Sequence, residues 1–273
     1  MLKSLERANI PVILCLNGHD PSSAGGLQAD IETCMSLHCQ SLTVQTSTFV
    51  CDTREVKKIV PTSSELVLEQ MRTLLEDIPV KVIKAGFLGS LENVEALHSV
   101  LVDYPDIPLI VEPKSFATVN DHQRSTIEVL EAIKSLLLPR AYISVATLNQ
   151  AFLLSDFADS ADACAAEILE TGCQHVLITG TENYSEVRSG KLYGQRGLIQ
   201  SYVNQDKSPL SEMRCTSTLG AAVACEFAHG LPLHVGVGNA QKYVWSCLAR
   251  GRLIGMGNPI PDRTLVPAEN PIS

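Results

Sequence analysis

The chain has 273 residues, of which 45% are hydrophobic and 19% charged, enough for one large buried core and too apolar for a disordered chain. The formal net charge of −9 argues against general binding to nucleic acid or to an anionic membrane, and no apolar run reaches the ~18 residues needed to span a bilayer. Nine cysteines, scattered without C-x-x-C or Cys/His ligand spacing, argue against a zinc site and fit reduced thiols in a cytoplasmic protein.

In chain order, Glu6 and Arg7 precede a short apolar run at residues 11–16, which reads as a first buried strand rather than a signal peptide. The turn-rich patch Asn17-Gly18-His19-Asp20-Pro21-Ser22-Ser23 follows, and then a helix with Leu27, Ile31, Cys34 and Met35 at three- and four-residue steps. Residues 40–51 are β-branched and predict a strand with its loop. Residues 66–75 predict a helix with Val67, Met71, Leu74 and Leu75 as its apolar stripe. Further strands are predicted at 80–85, 107–111, 142–145 and 175–179. Helices are predicted after the turn at 86–90, at 127–137 and at 161–170. Beyond Gly180 the pattern changes to a hairpin (186–193 and 198–203) and two helices (218–227 and 235–248). Alternating strand, turn and helix predicts one α/β domain, a mostly parallel sheet covered on both faces. Its core spans about residues 10–255, with a loosely attached tail from 256 to 273.

A strand, a polar glycine-bearing turn and a helix can place a ligand at the carboxyl edge of such a sheet. Gly18, Gly25 and Gly26 would let backbone approach a ligand, with Asp20 and Asp30 near the mouth. On pattern alone, an ordinary βα turn with helix-capping residues explains the stretch as well. The seven histidines form no recognisable triad with a serine or cysteine.

The stretch GHDPSSAGGLQADIET closely resembles the first motif of the hydroxymethylpyrimidine and phosphomethylpyrimidine kinases, members of the ribokinase-like superfamily, and the similarity continues to about Tyr243. The resemblance implies a ribokinase-like fold, a place in thiamin biosynthesis, a pyrimidine acceptor, Mg-ATP as phosphoryl donor and a homodimer. It implies that Gly18, Asp20 and Asp30 face the substrate, with Cys51 at the position of the family's ring-bonding glutamine, Phe87 at its methionine and Met213 at its histidine. Phosphoryl transfer rests on positioning and charge stabilisation, so the remaining motifs decide activity.

Those motifs are altered. The family's H-G-[ST]-G-C-T-L aligns with Met213-Arg214-Cys215-Thr216-Ser217-Thr218-Leu219, so both glycines of the anion hole are replaced and Ser217 stands at the catalytic cysteine. A serine hydroxyl is a far poorer base than a thiolate. D-P-V-[ML] aligns with Glu112-Pro113-Lys114-Ser115, which lengthens the carboxylate and adds a cation at an apolar position. T-P-N-L-P-E-A aligns with residues 145–151, so that Thr147 replaces the asparagine and Gln150 the metal-linked glutamate. An amide carries no charge to hold Mg²⁺ or its waters. Thr179 and Gly180 match part of the strand end at the nucleotide, whereas Glu182 brings negative charge there. The expectation is a binding relative with impaired or silent catalysis and weakened Mg-ATP binding. The alternative is an active ATP-dependent kinase of hydroxymethylpyrimidine, its phosphate or a related small molecule.

Overall fold

The structure, a computed structural model, describes residues 10–114, 123–181, 188–204 and 215–264. The apolar and β-branched runs form the strands β1 (Val12–His19), β2 (Gln40–Cys51), β3 (Val56–Pro61), β4 (Val82–Ala85), β5 (Leu109–Val111), β6 (Ala141–Thr147), β7 (His175–Thr179), β8 (Arg188–Gly194) and β9 (Gly197–Asn204). They make one sheet in the order β3-β2-β1-β4-β5-β6-β7-β8-β9. The centre, from β2 to β7, is parallel, and β3, β8 and β9 are antiparallel additions at the two edges.

The connecting helices are α1 (Gly26–Ser36), α2 (Ser64–Asp77), α3 (Leu91–Asp103), α4 (Gln123–Ala132), α5 (Leu148–Leu154), α6 (Ala161–Glu170), α7 (Thr216–Ala228) and α8 (Leu233–Ala249). Helices α2, α3, α4 and α6 pack on one face around Met71, Leu97, Leu130 and Ile168, while α1, α7 and α8 cover the other around Cys34, Val223 and Val237. Because β1 lies between β2 and β4, the chain leaves it in opposite directions, and the crevice at the carboxyl ends of β1 and β4 is the switch point where α/β sheets bind ligands.

Several elements differ from the sequence reading. Strand β1 continues past the apolar run, because Gly18 and His19 pair with Ser47 and Thr48 after a bulge. Strand β3 is not evident in the sequence, since Lys57 and Lys58 mask its alternation, yet it closes the sheet edge against β2. The short helix α5 is not evident there either. The chain expected to be loose beyond residue 255 is bound as far as Thr264. Arg252 and Ile260 form a bridge, Asn258 N donates to Thr53 O at 2.9 Å, and the Arg263 guanidinium is buried. Arg263 donates to Thr218 Oγ1 (2.8 Å), Ser23 O (3.0 Å), Ala24 O (2.7 Å) and Glu32 Oε2 (2.9 Å), tying this strap to the first turn and to α7. Among the described residues, no helix is long and apolar enough to cross a membrane.

Candidate active site

The carboxyl ends of β1, β4 and β5 deliver Asn17, Lys84 and Glu112 to one point, where Asp30 of α1 and Ser217 of α7 join them. Lys84 is the unexpected member. It lies in the four-residue strand Val82–Ala85 and is wholly enclosed, and a lysine there needs anionic partners. Its Nζ lies 2.7 Å from Asp30 Oδ1 and 2.7 Å from Glu112 Oε1. Burial pushes the Lys84 ammonium down, but the two carboxylates outweigh it and hold it above lysine's ordinary value. Burial raises Asp30 above the usual carboxylate value against the pull of Lys84.

Asn17 organises the other side. Its Nδ2 donates to Asp30 Oδ2 (3.0 Å) and to Ser217 Oγ (3.3 Å), and its Oδ1 accepts from the backbone N–H groups of Gly18 and Phe87, both at 3.0 Å. Both Asp30 oxygens are therefore engaged within the protein, and the side chain is fully buried. Asp20 holds the turn together. It accepts from Ser22 N (2.9 Å), Ser22 Oγ (2.6 Å), Gly25 N (3.0 Å) and Cys51 Sγ (3.1 Å). Burial pushes Asp20 up, but these hydrogen bonds outweigh it and leave the carboxyl below its ordinary value. Burial and the bond to Asp20 push the Cys51 thiol up to about 11.

The space over Gly18 is taken by aromatic rings. Phe49 and Phe87 meet edge to face with centroids 5.3 Å apart, and a Cβ added to Gly18 would lie 2.6 Å from Phe49 Cζ. Both phenylalanines are buried, so Phe87 packs on a protein ring in this structure. Gly26 has φ +63, and a Cβ there would lie 2.3 Å from Gly18 O, so this turn requires glycine.

The turn into α7 is built differently. Cys215 is the residue before α7 and gives no side-chain cap. Ser217, one residue into the helix and fully buried, accepts from Lys114 Nζ at 2.5 Å as well as from Asn17. Lys114 Nζ also lies 3.4 Å from Glu112 Oε2, and its side chain is only 14% exposed. Burial lowers the Lys114 ammonium below lysine's ordinary value, against the pull of Glu112. Beneath Glu112 the helix carries Gly220, where a Cβ would meet Glu112 Oε1 at 2.1 Å. The Thr216 hydroxyl is buried without a hydrogen-bond partner. Thr216 and Cys215 line a small pocket, about the size of one water molecule, with Thr179, Gln241, Val244 and Trp245. Gly180 has φ +70 and donates its N–H to Ser189 O. Met213, Arg214 and Glu182 lie outside the described residues.

Gln150, which the resemblance sets at the family's glutamate, is engaged in helix capping. Thr147 Oγ1 accepts from Gln150 N, and Gln150 Oε1 accepts from Thr147 N at 2.8 Å, a reciprocal capping box that starts α5. The Mg²⁺ implied by the resemblance does not fit these donors: Gln150 is neutral and occupied, and both Glu112 oxygens face ammonium groups. Among the described residues no group of three or more His, Cys, Asp or Glu side chains could hold a metal ion.

Comparison with known proteins gives this geometry its family. The family model for phosphomethylpyrimidine kinase matches residues 20–261. The chain belongs to the phosphomethylpyrimidine kinase family. It is 28% identical over 258 residues to a hydroxymethylpyrimidine/phosphomethylpyrimidine kinase of Streptomyces coelicolor, covering 90% of this chain and 92% of that one. It is 27% identical to the chloroplastic thiamine biosynthetic bifunctional enzyme TH1 of Arabidopsis thaliana, over 91% of this chain and 48% of that longer protein. Among solved structures, pyridoxal kinase of Staphylococcus aureus in complex with pyridoxal superposes with a TM-score of 0.82 at 22% identity, covering 93% of each chain. Phosphomethylpyrimidine kinase of Clostridium difficile superposes with a TM-score of 0.70 at 23% identity, covering 86% of this chain and 99% of that one. The fold of this family member is thus the ribokinase-like α/β fold.

Asn17, Lys84 and Arg263 had not been singled out in the sequence. A lysine inside the apolar stretch Val82-Ile83-Lys84-Ala85 was the readable sign, since a buried ammonium demands partners. Asn17 and Arg263 carry no comparable sign, because the contacts that tie them to the site, such as Asn17 with Asp30 and Arg263 with Ser23, lie 13 and 240 residues away in the chain.

Proposed function

We propose that this family member binds a small ligand of the hydroxymethylpyrimidine class but has silent or strongly impaired phosphoryl transfer, acting as a ligand sensor or as a partner of an active enzyme of thiamin biosynthesis. One observation carries this reading: Ser217, at the base position, accepts from both Lys114 and Asn17. A hydroxyl oxygen has two lone pairs, so both are engaged and none is left to take the acceptor's proton. Loss of a general base costs ~10²–10⁴-fold in rate. Replacement of an anion-hole glycine by Thr216 adds to that loss, and Gln150 provides no charge for a metal. Mg-ATP binding is accordingly weak. Homodimer formation and a cytoplasmic location follow from the family resemblance and the reduced-thiol composition.

Titration calorimetry with Mg-ATP, with and without hydroxymethylpyrimidine, tests the reading while ADP release is followed. Ligand heat without ADP above background is expected. Acceptor-dependent ADP formation on the order of 1 s⁻¹, an ordinary enzymatic rate, would overturn it.

A further inference from the structure

A row of thiols runs through the layer formed by α1 and α7. Among the nine free cysteines, Cys15 of β1, Cys34 of α1 and Cys225 of α7 are wholly enclosed, and Cys39, between α1 and β2, is 6% exposed. Cys225 Sγ lies 3.8 Å from Cys34 Sγ, and Cys39 Sγ lies 4.0 Å from the Cys225 carbonyl oxygen. The Cys34 thiol meets that of Cys15 on its other side, and the Cys225 thiol meets that of Cys39, so four sulfurs form a continuous row from the sheet outward. The outer end is polar. His229, exposed at the carboxyl end of α7, has its Nε2 3.4 Å from Cys39 Sγ and 2.8 Å from Leu37 O. The Leu37 carbonyl can only accept, so Nε2 carries the proton and its N–H is shared between that oxygen and the sulfur. An isolated buried cysteine serves as a small hydrophobe. Here each sulfur has another beside it that can resolve an oxidised neighbour.

We propose that this row is a site of reversible oxidation, at which a peroxide joins Cys34 to Cys225 through Cys39. Cys39, the sulfur nearest solvent, attacks the O–O bond. With hydrogen peroxide it becomes a sulfenic acid and one water leaves. The Cys225 sulfur then attacks the sulfenic sulfur. A Cys39–Cys225 disulfide forms, and the sulfenic hydroxyl leaves as a second water with the Cys225 proton. Cys34 next attacks Cys225 by thiol–disulfide exchange, and its proton passes to Cys39, which is released as the thiol. In sum two thiols are oxidised and one hydrogen peroxide is reduced to two waters. The product bond pins α1 to α7, one turn after Asp30 and two turns after Ser217, and so couples the two helices that carry the site. Oxidation here is independent of whether phosphoryl transfer is silent.

Chymotryptic mapping of the full chain without reductant, before and after hydrogen peroxide, tests this, because cleavage at Leu37 separates Cys34 from Cys39. A linked pair of peptides carrying Cys34 and Cys225, lighter by two hydrogens and parted by dithiothreitol, is expected, with the free-thiol count falling by two from nine. Cys225→Ala is expected to lose the cross-link. Cys39→Ala is expected to slow it about tenfold or more, because the accessible sulfur is gone. Cys34→Ala is expected to stop at a bond between Cys39 and Cys225. Matched thermal melts show that each variant is folded. Nine thiols retained by the native chain, a cross-link that leaves out Cys225, bonds only between separate chains, or an unchanged rate in Cys39→Ala would overturn the assignment.

Discussion

The two halves of the site differ in what their side chains do. On the β1 side the residues of the Gly18–Asp30 stretch turn inward: Asp30 to Lys84 and Asn17, Asp20 to the turn backbone, Gly26 to a close approach of the Gly18 carbonyl. On the α7 side, where the resemblance sets Ser217 and Thr216 at the family's cysteine and anion-hole glycine, Lys114 reaches Ser217 and Gln150 caps its own helix. The contrast teaches that the stretch in which the resemblance is strongest carries contacts that the fold itself requires.

If the β1 side is structural, its disruption must cost stability, and Lys84→Met tests this most severely. It strands Asp30 and Glu112 as buried carboxylates without Lys84, and about 3–5 kcal/mol of destabilisation is expected in urea unfolding. A cost below about 1 kcal/mol, the range of an exposed pair, would erase the contrast between the halves. Gly26→Ala comes next. Its positive φ and the nearby Gly18 oxygen predict a loss of about 3 kcal/mol. On the other side, Gln150→Ala should cost about 1 kcal/mol through the capping box, whereas Gln150→Glu should stay within about 0.5 kcal/mol, because glutamate fills the same role. Equal costs for the two would remove the cap as the explanation of Gln150.

The smallest effect is a pH dependence. The folded-state value of Asp20 lies below the unfolded one, so its contribution is present above the ordinary carboxylate range and is lost as pH falls below about 4. Asp20→Asn is expected to flatten the acid limb of a stability–pH profile there. An unchanged limb would show that the turn does not depend on the charge.

The sequence disclosed much of this architecture and less of the site. Helix α6 and strand β7 were legible to the residue, since each is a clean periodic run between breakers. Strand β3 was hidden because an edge strand with two lysines has no buried face to set its alternation. Helix α5 was hidden although its T-x-x-Q capping signature was present, because seven residues show too little periodicity and Gln150 read more readily as a missing metal ligand. Ser217, Thr216 and Lys114 stand out in the sequence through the resemblance, but the contact between Ser217 and Lys114 does not, because 103 residues separate them. Arg263 reads from sequence as part of a tail, since its four acceptors are two backbone carbonyls and two side chains far away in the chain.

The most direct test of the central claim is phosphoryl transfer from Mg-ATP to hydroxymethylpyrimidine, measured side by side for the native chain and for a variant carrying K114V, Q150E, R214G, T216G and S217C. The account predicts no acceptor-dependent ADP from the native chain and measurable turnover once the α7 side and the charge at position 150 are restored on the unaltered β1 scaffold. Native turnover on the order of 1 s⁻¹ or faster, abolished rather than raised by the five substitutions, would contradict it.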